Sequence, residues 1–276
     1  MQIFAGRVAA ITGAGSGIGR ALAQELARRG AHLALADIDP VGMAETVAMC
    51  EGAGVKVTTC ELDVADREAV FAWADRVVDE HGKVNLIFNN AGVALGATVD
   101  EVEYHDFEWL MDINFWGVVH GTKAFLPHLE ASGEGHVVNL SSVFGLLSIP
   151  TQSAYNAAKF GVRGFTDALR IELEIEDRGV SATTIHPGGI ATNIAHRARL
   201  SDSLAALSDG RADGPGDFNK ALRMPPEKAA RLILAAVSKN RRRALIGTDA
   251  KVLDLLSRLP AGVSQRLLVT AAKRRT

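Results

Sequence analysis

Short apolar or β-branched runs alternate with longer helical runs along nearly the whole sequence, and this alternation restricts the fold more than any other feature. Predicted strands lie at residues 7–12, 32–37, 55–62, 84–89, 136–141, 180–186 and 243–247, and predicted helices lie near 17–30, 40–52, 66–81, 101–131, 153–178 and 226–239. Strands that are apolar throughout are typical of a parallel sheet that helices cover on both faces. The pattern therefore predicts an α/β fold with a doubly wound sheet of about seven mostly parallel strands.

The length of 276 residues fits one large α/β domain. We expect residues 1–250 to form that domain and residues 251–276 to form a C-terminal helical extension, because an apolar stripe runs up to Pro260 and resumes after it. The polar, Gly- and Asp-rich segment 197–225 interrupts the α/β pattern. Such stretches inside a compact domain are usually lids or binding loops, so we assign about residues 190–225 to a lid or substrate loop.

Composition predicts a soluble globular protein, since 47% of the residues are hydrophobic and the formal net charge is −2. No secretory signal and no apolar run long enough for a membrane span is evident. Cys50 and Cys60 lack the spacing of a zinc or redox motif, and the eight histidines show no metal-ligand spacing. We therefore expect a cytoplasmic protein with free thiols and no bound metal.

Charge is unevenly distributed, because residues 201–276 contain 15 Lys or Arg against 7 Asp or Glu. A basic tail can bind nucleic acid or an anionic membrane surface, and its apolar stripe would allow it to lie on a membrane. We favour the interpretation that the tail packs on the core or on a second subunit. We expect no nucleic-acid partner.

A glycine-rich turn, ITGAGSGIGRALA, joins the first predicted strand to the first helix. Gly13, Gly17 and Gly19 give the pattern T-G-x-x-x-G-x-G, with Ser16 and Ile18 between the glycines. Glycines allow a backbone to turn tightly and to approach a pyrophosphate, whose charge then faces the amides and the positive dipole end of the helix. The turn is thus a candidate dinucleotide-binding loop.

Asp37 closes the second predicted strand, 18 residues after Gly19. A carboxylate at this place can accept hydrogen bonds from the adenosine ribose and would repel a 2′-phosphate. Position 16 is serine, so the loop itself offers no cation for that phosphate. Both observations favour NAD over NADP, and the alternative is that Asp37 is only a turn or capping residue.

Tyr155 and Lys159 are four residues apart in a predicted helix, so their side chains share one helix face. An ammonium beside a phenol lowers the phenol pKa toward neutrality. Ser142 stands at the end of the fifth predicted strand, where ligands bind in open α/β sheets. Asn114 lies inside a predicted helix, where asparagine is a poor residue and often distorts the backbone.

Together these motifs resemble the short-chain dehydrogenase/reductase family, in its short single-domain subfamily. The resemblance runs from Gly6 to about Thr192 and includes T-G-x-x-x-G-I-G (12–19), Asp37, DV (63–64), NNAG (89–92), NFWG (114–117), SS (141–142), Y-x-x-x-K (155–159) and HPGGIAT (186–192). It implies a Rossmann-type fold and an oxidoreductase that interconverts an alcohol and a ketone by hydride transfer. It also implies a homodimer or homotetramer through the two long helices, 101–131 and 153–178.

The resemblance further implies roles for individual residues. Tyr155 would be the general acid/base, Lys159 would lower the pKa of Tyr155 and bind the nicotinamide ribose, and Ser142 would orient the substrate oxygen. Asn114 would anchor a water for proton transfer. The residues expected to bind the cofactor are Gly13, Ser16, Gly17, Ile18, Gly19, Asp37, Asp63, Val64, Asn90, Ala91, Gly92, Tyr155, Lys159, Pro187, Gly188, Ile190 and Thr192.

The candidate substrate residues are Ser142, Val93, Phe144 and Gln152, in surroundings that are nearly all apolar. None supplies a charge for a carboxylate or phosphate, so we expect a hydrophobic secondary alcohol or ketone. Two alternatives remain at this point, a non-catalytic NAD-binding regulatory protein on the same fold and an NADP-dependent ketone reductase.

Overall fold

A seven-stranded parallel sheet forms the centre of the molecule. The computed structural model describes residues 4–194, 198–201 and 224–273. The sheet strands are β1 (Val8–Thr12), β2 (His32–Asp37), β3 (Val57–Glu61), β4 (Leu86–Asn89), β6 (Gly135–Leu140), β7 (Val180–Pro187) and β9 (Arg243–Ile246). Their order is β3-β2-β1-β4-β6-β7-β9, and every neighbouring pair is parallel. The prediction of a doubly wound, Rossmann-type sheet is confirmed.

The helices lie in two layers, one on each face of the sheet. They are α1 (Gly17–Arg28), α2 (Pro40–Cys50), α3 (Arg67–His81), α4 (Tyr104–Met111), α5 (Gly117–Ala131), α6 (Ser153–Glu176), α7 (Pro226–Ser238), α8 (Thr248–Ser257) and α9 (Ala261–Lys273). Leu22 and Leu26 of α1 share one core cluster with Ile233 of α7. Phe125 of α5 and Leu169 of α6 belong to the cluster on the opposite face. Apolar side chains therefore leave both faces of each central strand, as the sequence predicts.

The predicted long helix 101–131 contains a distortion. Helix α4 passes into a π-helical turn, Asp112–Trp116, before α5 begins, and the Gly117 amide donates to the Asp112 carbonyl across this turn. Asn114 is fully buried within it. A π-turn inserts one extra residue into a helix and often occurs at functional sites, and it turns Asn114 into the protein rather than toward solvent.

Two short strands form a second, separate ladder. Strand β5 (Leu95–Gly96) pairs in parallel with β8 (Arg199–Leu200), which returns from the segment after Thr192. Most of the predicted lid or substrate loop, residues 195–197 and 202–223, lies outside the described residues. The assignment of that loop therefore stays a prediction.

The C-terminal part forms helices α8 and α9, and Pro260 lies between them. Several apolar side chains of these helices are exposed, among them Val252, Leu255, Val263 and Leu267. The proposed division near residue 250 stays a prediction. Within the part of the chain that the structure describes, no helix combines the length and apolar character needed to cross a membrane.

Candidate active site

The predicted site residues gather at one edge of the sheet. Because all neighbouring strands are parallel, their carboxyl ends meet at the same edge, and ligands of open α/β sheets bind there. The glycine loop follows β1, Asp37 ends β2, Asn90 follows β4, Ser142 follows β6, and Pro187 ends β7. Topology alone thus brings five separate sequence motifs to one edge of the sheet.

Three glycines of the loop lie where close packing or a positive φ excludes larger residues. Gly13 has a φ of 66°, and a Cβ atom there would lie 2.8 Å from the Cα of Ala91. A Cβ at Gly19 would lie 2.0 Å from the carbonyl oxygen of Gly13. Gly17 has a φ of 53°, and a Cβ atom there would lie 3.1 Å from the Thr192 side chain. These contacts, and no general flexibility, explain the three glycines.

The amino end of α1 is available to an anion. Ser16 is its N-cap residue, but the serine side chain makes no capping hydrogen bond. The first amides of any helix, here those of Gly17 and Ile18, have no intrahelical partner, and the Ser16 side chain does not supply one. Such amides and the helix dipole together suit a phosphate group.

Asn90 braces the glycine loop from the neighbouring strand. Its side-chain Nδ2 donates to the carbonyl oxygens of Thr12 at 2.9 Å and Gly13 at 3.1 Å. The backbone amides of Asn90 and Ala91 both donate to the Thr12 hydroxyl, at 3.0 and 3.1 Å. The Asn90 side chain thus holds the loop, and its predicted contact with the nucleotide stays a prediction.

The carboxylate of Asp37 is held at the edge of this loop. Its Oδ2 accepts from the Gly15 amide at 2.8 Å, and its Oδ1 accepts from the Asp39 amide at 3.0 Å. The side chain is half-buried. This orientation places a negative charge directly beside the loop, as a ribose-binding acid requires.

The structure also brings a cation to the loop that the sequence analysis missed. Position 16 is serine, but Arg20, one helical turn further on, contacts the Gly15 carbonyl with its guanidinium group. The same group forms an ion pair with Glu45 at 2.7 Å. The i, i+4 spacing of Ser16 and Arg20 was the sequence signal that could have placed this cation near the loop. Its pairing with Glu45 left no signal, because Glu45 belongs to a different helix.

Asp63 and Val64, the predicted adenine residues, occupy different environments. Asp63 is exposed and accepts from the Ala65 amide at 2.9 Å. Val64 is buried against α5, where a Cβ at Gly117 would lie 2.7 Å from its side chain, and its carbonyl accepts from His120 Nδ1 at 3.2 Å. Val64 is therefore fixed by helix packing next to the strand ends.

Ser142 and Tyr155 meet through their hydroxyl groups. Ser142 also accepts from the Phe144 amide at 3.1 Å, which fixes its side chain at the start of a short 3₁₀ turn, Val143–Gly145. The Tyr155 ring is partly exposed, but burial of its hydroxyl raises the Tyr155 pKa to about 12, and the hydrogen bond with Ser142 opposes this rise. The chain alone thus keeps Tyr155 a neutral phenol, in contrast to the lowered pKa that the sequence analysis expected.

Lys159 lies beneath the same ring in a buried position. Its Nζ is 5.6 Å from the centroid of the Tyr155 ring and donates to the Leu140 carbonyl at 3.1 Å. Burial lowers the pKa of Lys159 to about 8. The i, i+4 pair therefore does share one helix face, as predicted, with the amine directed at the ring and at the end of β6.

Asn114 reaches the same place from the π-turn. Its Oδ1 accepts from the Val93 amide at 2.8 Å, and its Nδ2 donates to the Val93 carbonyl at 2.9 Å. A Cβ at Gly92 would lie 3.1 Å from Asn114 Oδ1 and 3.7 Å from Lys159 Nζ. Asn114 Oδ1 and Lys159 Nζ thus both border the position that a side chain at residue 92 would occupy.

Two neighbouring residues support this cluster. The Ser141 hydroxyl donates to the Lys159 carbonyl at 2.8 Å, so Ser141 has a structural contact while Ser142 faces Tyr155. His186, which the sequence analysis did not single out, is fully buried and donates from Nδ1 to the Ser142 carbonyl at 2.8 Å. Burial lowers the pKa of His186 to about 4, so it is neutral. The sequence signal that could have identified His186 is its place directly before the glycine-rich segment PGG at 187–189.

The Pro187–Thr192 loop crosses the carboxyl edge next to the glycine loop. Thr192 packs on Gly17, as described above, and Ile190 is buried. The Gly189 amide donates to Asp249 Oδ2 of α8 at 2.6 Å. The Gly188 amide donates to the Ile246 carbonyl at 2.9 Å. The loop is therefore held by β9 and by the first turn of α8.

The candidate substrate residues lie on the Tyr155 side. The Phe144 ring packs edge-on against Tyr155, with centroids 5.9 Å apart. Val93 is half-buried and is held by Asn114. Gln152 forms a bridge with Ala97, and the preceding Thr151 has a φ of 64°, an uncommon conformation for a β-branched residue. The chain bends sharply here to place Gln152 at the start of α6.

Known short-chain dehydrogenases are similar to this chain over most of its length. The sequence model described as short chain dehydrogenase matches residues 7–202. The chain is 49% identical over 269 residues to "Putative oxidoreductase SadH" of Mycobacterium tuberculosis, which covers 97% of this chain and 96% of that protein.

Solved structures agree in fold. A short chain dehydrogenase/reductase from Burkholderia phymatum in complex with NAD has a TM-score of 0.86 and 33% identity, covering 97% of both chains. Carveol dehydrogenase from Mycobacterium avium in complex with NAD has a TM-score of 0.78 and 26% identity, covering 88% of this chain and 96% of that one. The family model, the relatives and the shared fold together show that the chain belongs to the short-chain dehydrogenase/reductase family of oxidoreductases.

Proposed function

We propose that the protein is an NAD-dependent oxidoreductase that interconverts a hydrophobic secondary alcohol and its ketone, with Tyr155 as general acid/base. The observation that carries this proposal is the cluster of Ser142, Tyr155, Lys159 and Asn114 at the carboxyl edge of the sheet. The Rossmann-type fold and NAD-bound structural neighbours support a nicotinamide cofactor.

The residues around the glycine loop fit such a cofactor. The three glycines allow the loop its tight backbone turn, and the uncapped start of α1 suits a pyrophosphate. Asp37 would accept from the ribose hydroxyls, and Lys159 would donate to the nicotinamide ribose. We propose that the remaining predicted contacts line the rest of the cofactor site; they are Asp63, Val64, Ala91, Gly92 and the loop 187–192.

The chemistry that a nicotinamide supplies when bound is hydride exchange with the carbon of the alcohol or ketone, together with a positive charge on its oxidised ring. Ser142 would donate a hydrogen bond to the substrate oxygen and hold it beside the Tyr155 hydroxyl. Tyr155, a neutral phenol in the chain alone, is in the state that gives a proton to a ketone oxygen. Removing a proton from an alcohol requires phenolate, which the Lys159 ammonium favours.

Lys159 and Asn114 would complete the path for the proton. A lysine with a pKa of about 8 can change its charge within the working pH range. The Asn114 side chain is fixed by its two hydrogen bonds with the Val93 backbone, and Asn114 would anchor a water next to Lys159. This is the proton route that the family resemblance implies.

The substrate side favours an apolar molecule. Val93 and the buried Leu95 share one apolar cluster with Tyr155, and the Phe144 ring contacts Tyr155 directly. Gln152 adds one neutral polar group. An uncharged, mostly apolar pocket selects hydrophobic ligands. The structural neighbour named carveol dehydrogenase supports an alcohol of this kind.

A panel of hydrophobic secondary alcohols incubated with NAD⁺ tests the proposal, with NADH absorbance as the measurement. We expect turnover with bulky apolar alcohols and little with short polar ones. Binding of NAD⁺ without NADH formation from any alcohol, and without NADH consumption by the matching ketones, would instead favour the non-catalytic, regulatory alternative.

We also propose a homodimer or homotetramer through α4–α5 and α6. Trp116 and Phe160 are large apolar residues on these elements, and their side chains are 48% and 38% exposed. Light scattering of the purified protein tests the assembly.

The membrane alternative for the C-terminal helices is tested by liposome co-sedimentation of the protein with and without residues 250–276. Equal sedimentation of the two forms would exclude this alternative.

A further inference from the structure

The guanidinium of Arg20 lies at the edge of the glycine loop and is held by four partners among the described residues. Besides the Gly15 carbonyl, its Nη2 contacts the Gly42 carbonyl at 3.2 Å and the Glu45 carboxylate at 2.7 Å. Its Nε donates to the Thr46 hydroxyl at 3.1 Å. Glu45 is the partner that cancels the charge of the guanidinium.

The Arg20 guanidinium and the Asp37 carboxylate, which is proposed to bind the ribose, both contact Gly15. The Gly15 amide donates to Asp37, while the Gly15 carbonyl accepts from Arg20. A ribose whose hydroxyls are held by Asp37 would therefore present its 2′-oxygen close to both side chains. A phosphate on that oxygen would be repelled by Asp37 and attracted by an unpaired Arg20.

We propose that Glu45 is a specificity-determining residue for the cofactor. Glu45 of α2 pairs with Arg20 of α1, which holds the guanidinium against α2 and neutralises its charge. The 2′-phosphate of NADP would then meet carboxylates without a matching cation. The proposal rests on the proposed function, because it requires the adenosine ribose to bind at Asp37. The proposal assigns the preference for NAD to two carboxylates, Asp37 and Glu45, and Glu45 lies outside the family's sequence motifs.

Exposure makes Glu45 a suitable position for such control. The Glu45 side chain is 56% exposed and that of Arg20 is 23% exposed, so the carboxylate can be removed with little loss of packing. Asp39, a third carboxylate at this rim, accepts from the Gly42 amide at 3.0 Å and caps α2. Replacing Asp39 would damage the helix start, whereas replacing Glu45 changes mainly charge.

The experiment measures the binding of NAD⁺, NADP⁺, ADP and 2′,5′-ADP by calorimetry, without turnover. The variants are Glu45→Gln, Asp37→Ala, both together, and both combined with Arg20→Met. Glu51→Gln is the matched control, since it removes one negative charge from the exposed C-cap of the same helix. Thermal unfolding of each variant verifies that it is folded.

We expect Glu45→Gln to improve the affinity for NADP⁺ relative to NAD⁺ by about two- to fivefold, the range of an exposed ion pair. The gain should appear with 2′,5′-ADP relative to ADP, should add to that of Asp37→Ala, and should disappear with Arg20→Met. Glu51→Gln should leave the ratio unchanged within error.

Two failures are distinguishable. If wild-type protein binds neither NAD⁺ nor ADP, the proposed function fails and the inference fails with it. If both bind but Glu45→Gln shifts the ratio no more than Glu51→Gln, or if Arg20→Met retains the gain, the role of Glu45 alone is overturned.

Discussion

The nucleotide side and the substrate side of the cleft are held together in different ways. On the nucleotide side, backbone segments pack directly on one another: a Cβ atom added at Gly19 would lie only 2.0 Å from the Gly13 carbonyl oxygen. Hydrogen bonds between Asn90 and Thr12 strengthen this packing. On the substrate side, β5 and β8 form a ladder of two residue pairs, and the chain reaches Gln152 through the unusual backbone of Thr151.

This difference teaches where the protein tolerates change. Backbone contacts accept almost no substitution, whereas contacts between side chains can be rebuilt with a different shape. The nucleotide side therefore leaves little freedom for substitution, whereas the substrate side can accommodate a change of shape. Tyr155 and Lys159 stand at the junction of the two sides.

The largest effect is expected at this junction. Tyr155→Phe should lower turnover by about 10²- to 10⁴-fold, because it removes the proton-transferring hydroxyl, and should leave the Kd of NAD⁺ nearly unchanged. Steady-state kinetics and calorimetry measure the two quantities. Tyr104→Phe is the matched control, since Tyr104 is 86% exposed. Activity that survives in Tyr155→Phe would remove the acid/base from the proposal.

Lys159 tests whether the junction costs stability. Its pKa is about 8 in the folded chain against 10.5 without burial, so below pH 8 the folded state pays for a buried charge. Lys159→Met should raise the free energy of unfolding at pH 7 by up to about 3 kcal/mol. Wild-type stability should gain on the variant as the pH rises from 8 to 10.5, because the unfolded chain binds more protons there.

Urea unfolding across this pH range measures the difference between wild type and Lys159→Met. The exposed Lys123, replaced by Met, is the control and should change stability by less than about 0.5 kcal/mol. A difference that is constant with pH would show that Lys159 carries no shifted pKa.

Gly19→Ala tests the backbone packing of the nucleotide side. The added methyl group would meet the Gly13 carbonyl at 2.0 Å, and we expect about 10- to 100-fold weaker NAD⁺ binding from the forced displacement of the loop. Gly164→Ala in α6 is the matched control, because a Cβ there meets nothing within 4 Å. Unchanged affinity in Gly19→Ala would mean that the loop does not contact the nucleotide.

Asp37 tests cofactor choice. We expect wild-type protein to bind NAD⁺ more than about tenfold more tightly than NADP⁺, and Asp37→Ala to narrow this gap by about tenfold through loss of charged hydrogen bonds. Direct titration with both cofactors measures it. Equal affinities in the wild type would contradict the prediction.

The smallest effect is expected on the substrate side. Phe144→Leu removes the edge-on ring contact with Tyr155, and we expect the KM for a hydrophobic alcohol to change by about two- to tenfold. The Kd of NAD⁺ should be almost unaffected. A change in NAD⁺ affinity as large as that in KM would show that the two sides are not separable.

Much of the fold followed from local patterns. All seven strands of the main sheet were predicted within two residues at each end, because apolar strands and amphipathic helices differ in period. The distortion around Asn114 was expected from the poor fit of asparagine in a helix, and it is present as a π-turn. The β5–β8 ladder was not predicted, since two residue pairs leave no periodic signal.

The sequence by itself determined the order of strands and helices, the glycine loop and the Tyr155–Lys159 spacing, because each depends on residues near one another in the chain. Only the tertiary structure decided what depends on burial and on contacts between distant segments. It raises the Tyr155 pKa and lowers that of Lys159, places His186 behind Ser142, and brings Glu45 to Arg20. Desolvation and charge pairing act through space, so no local pattern of residues contains them.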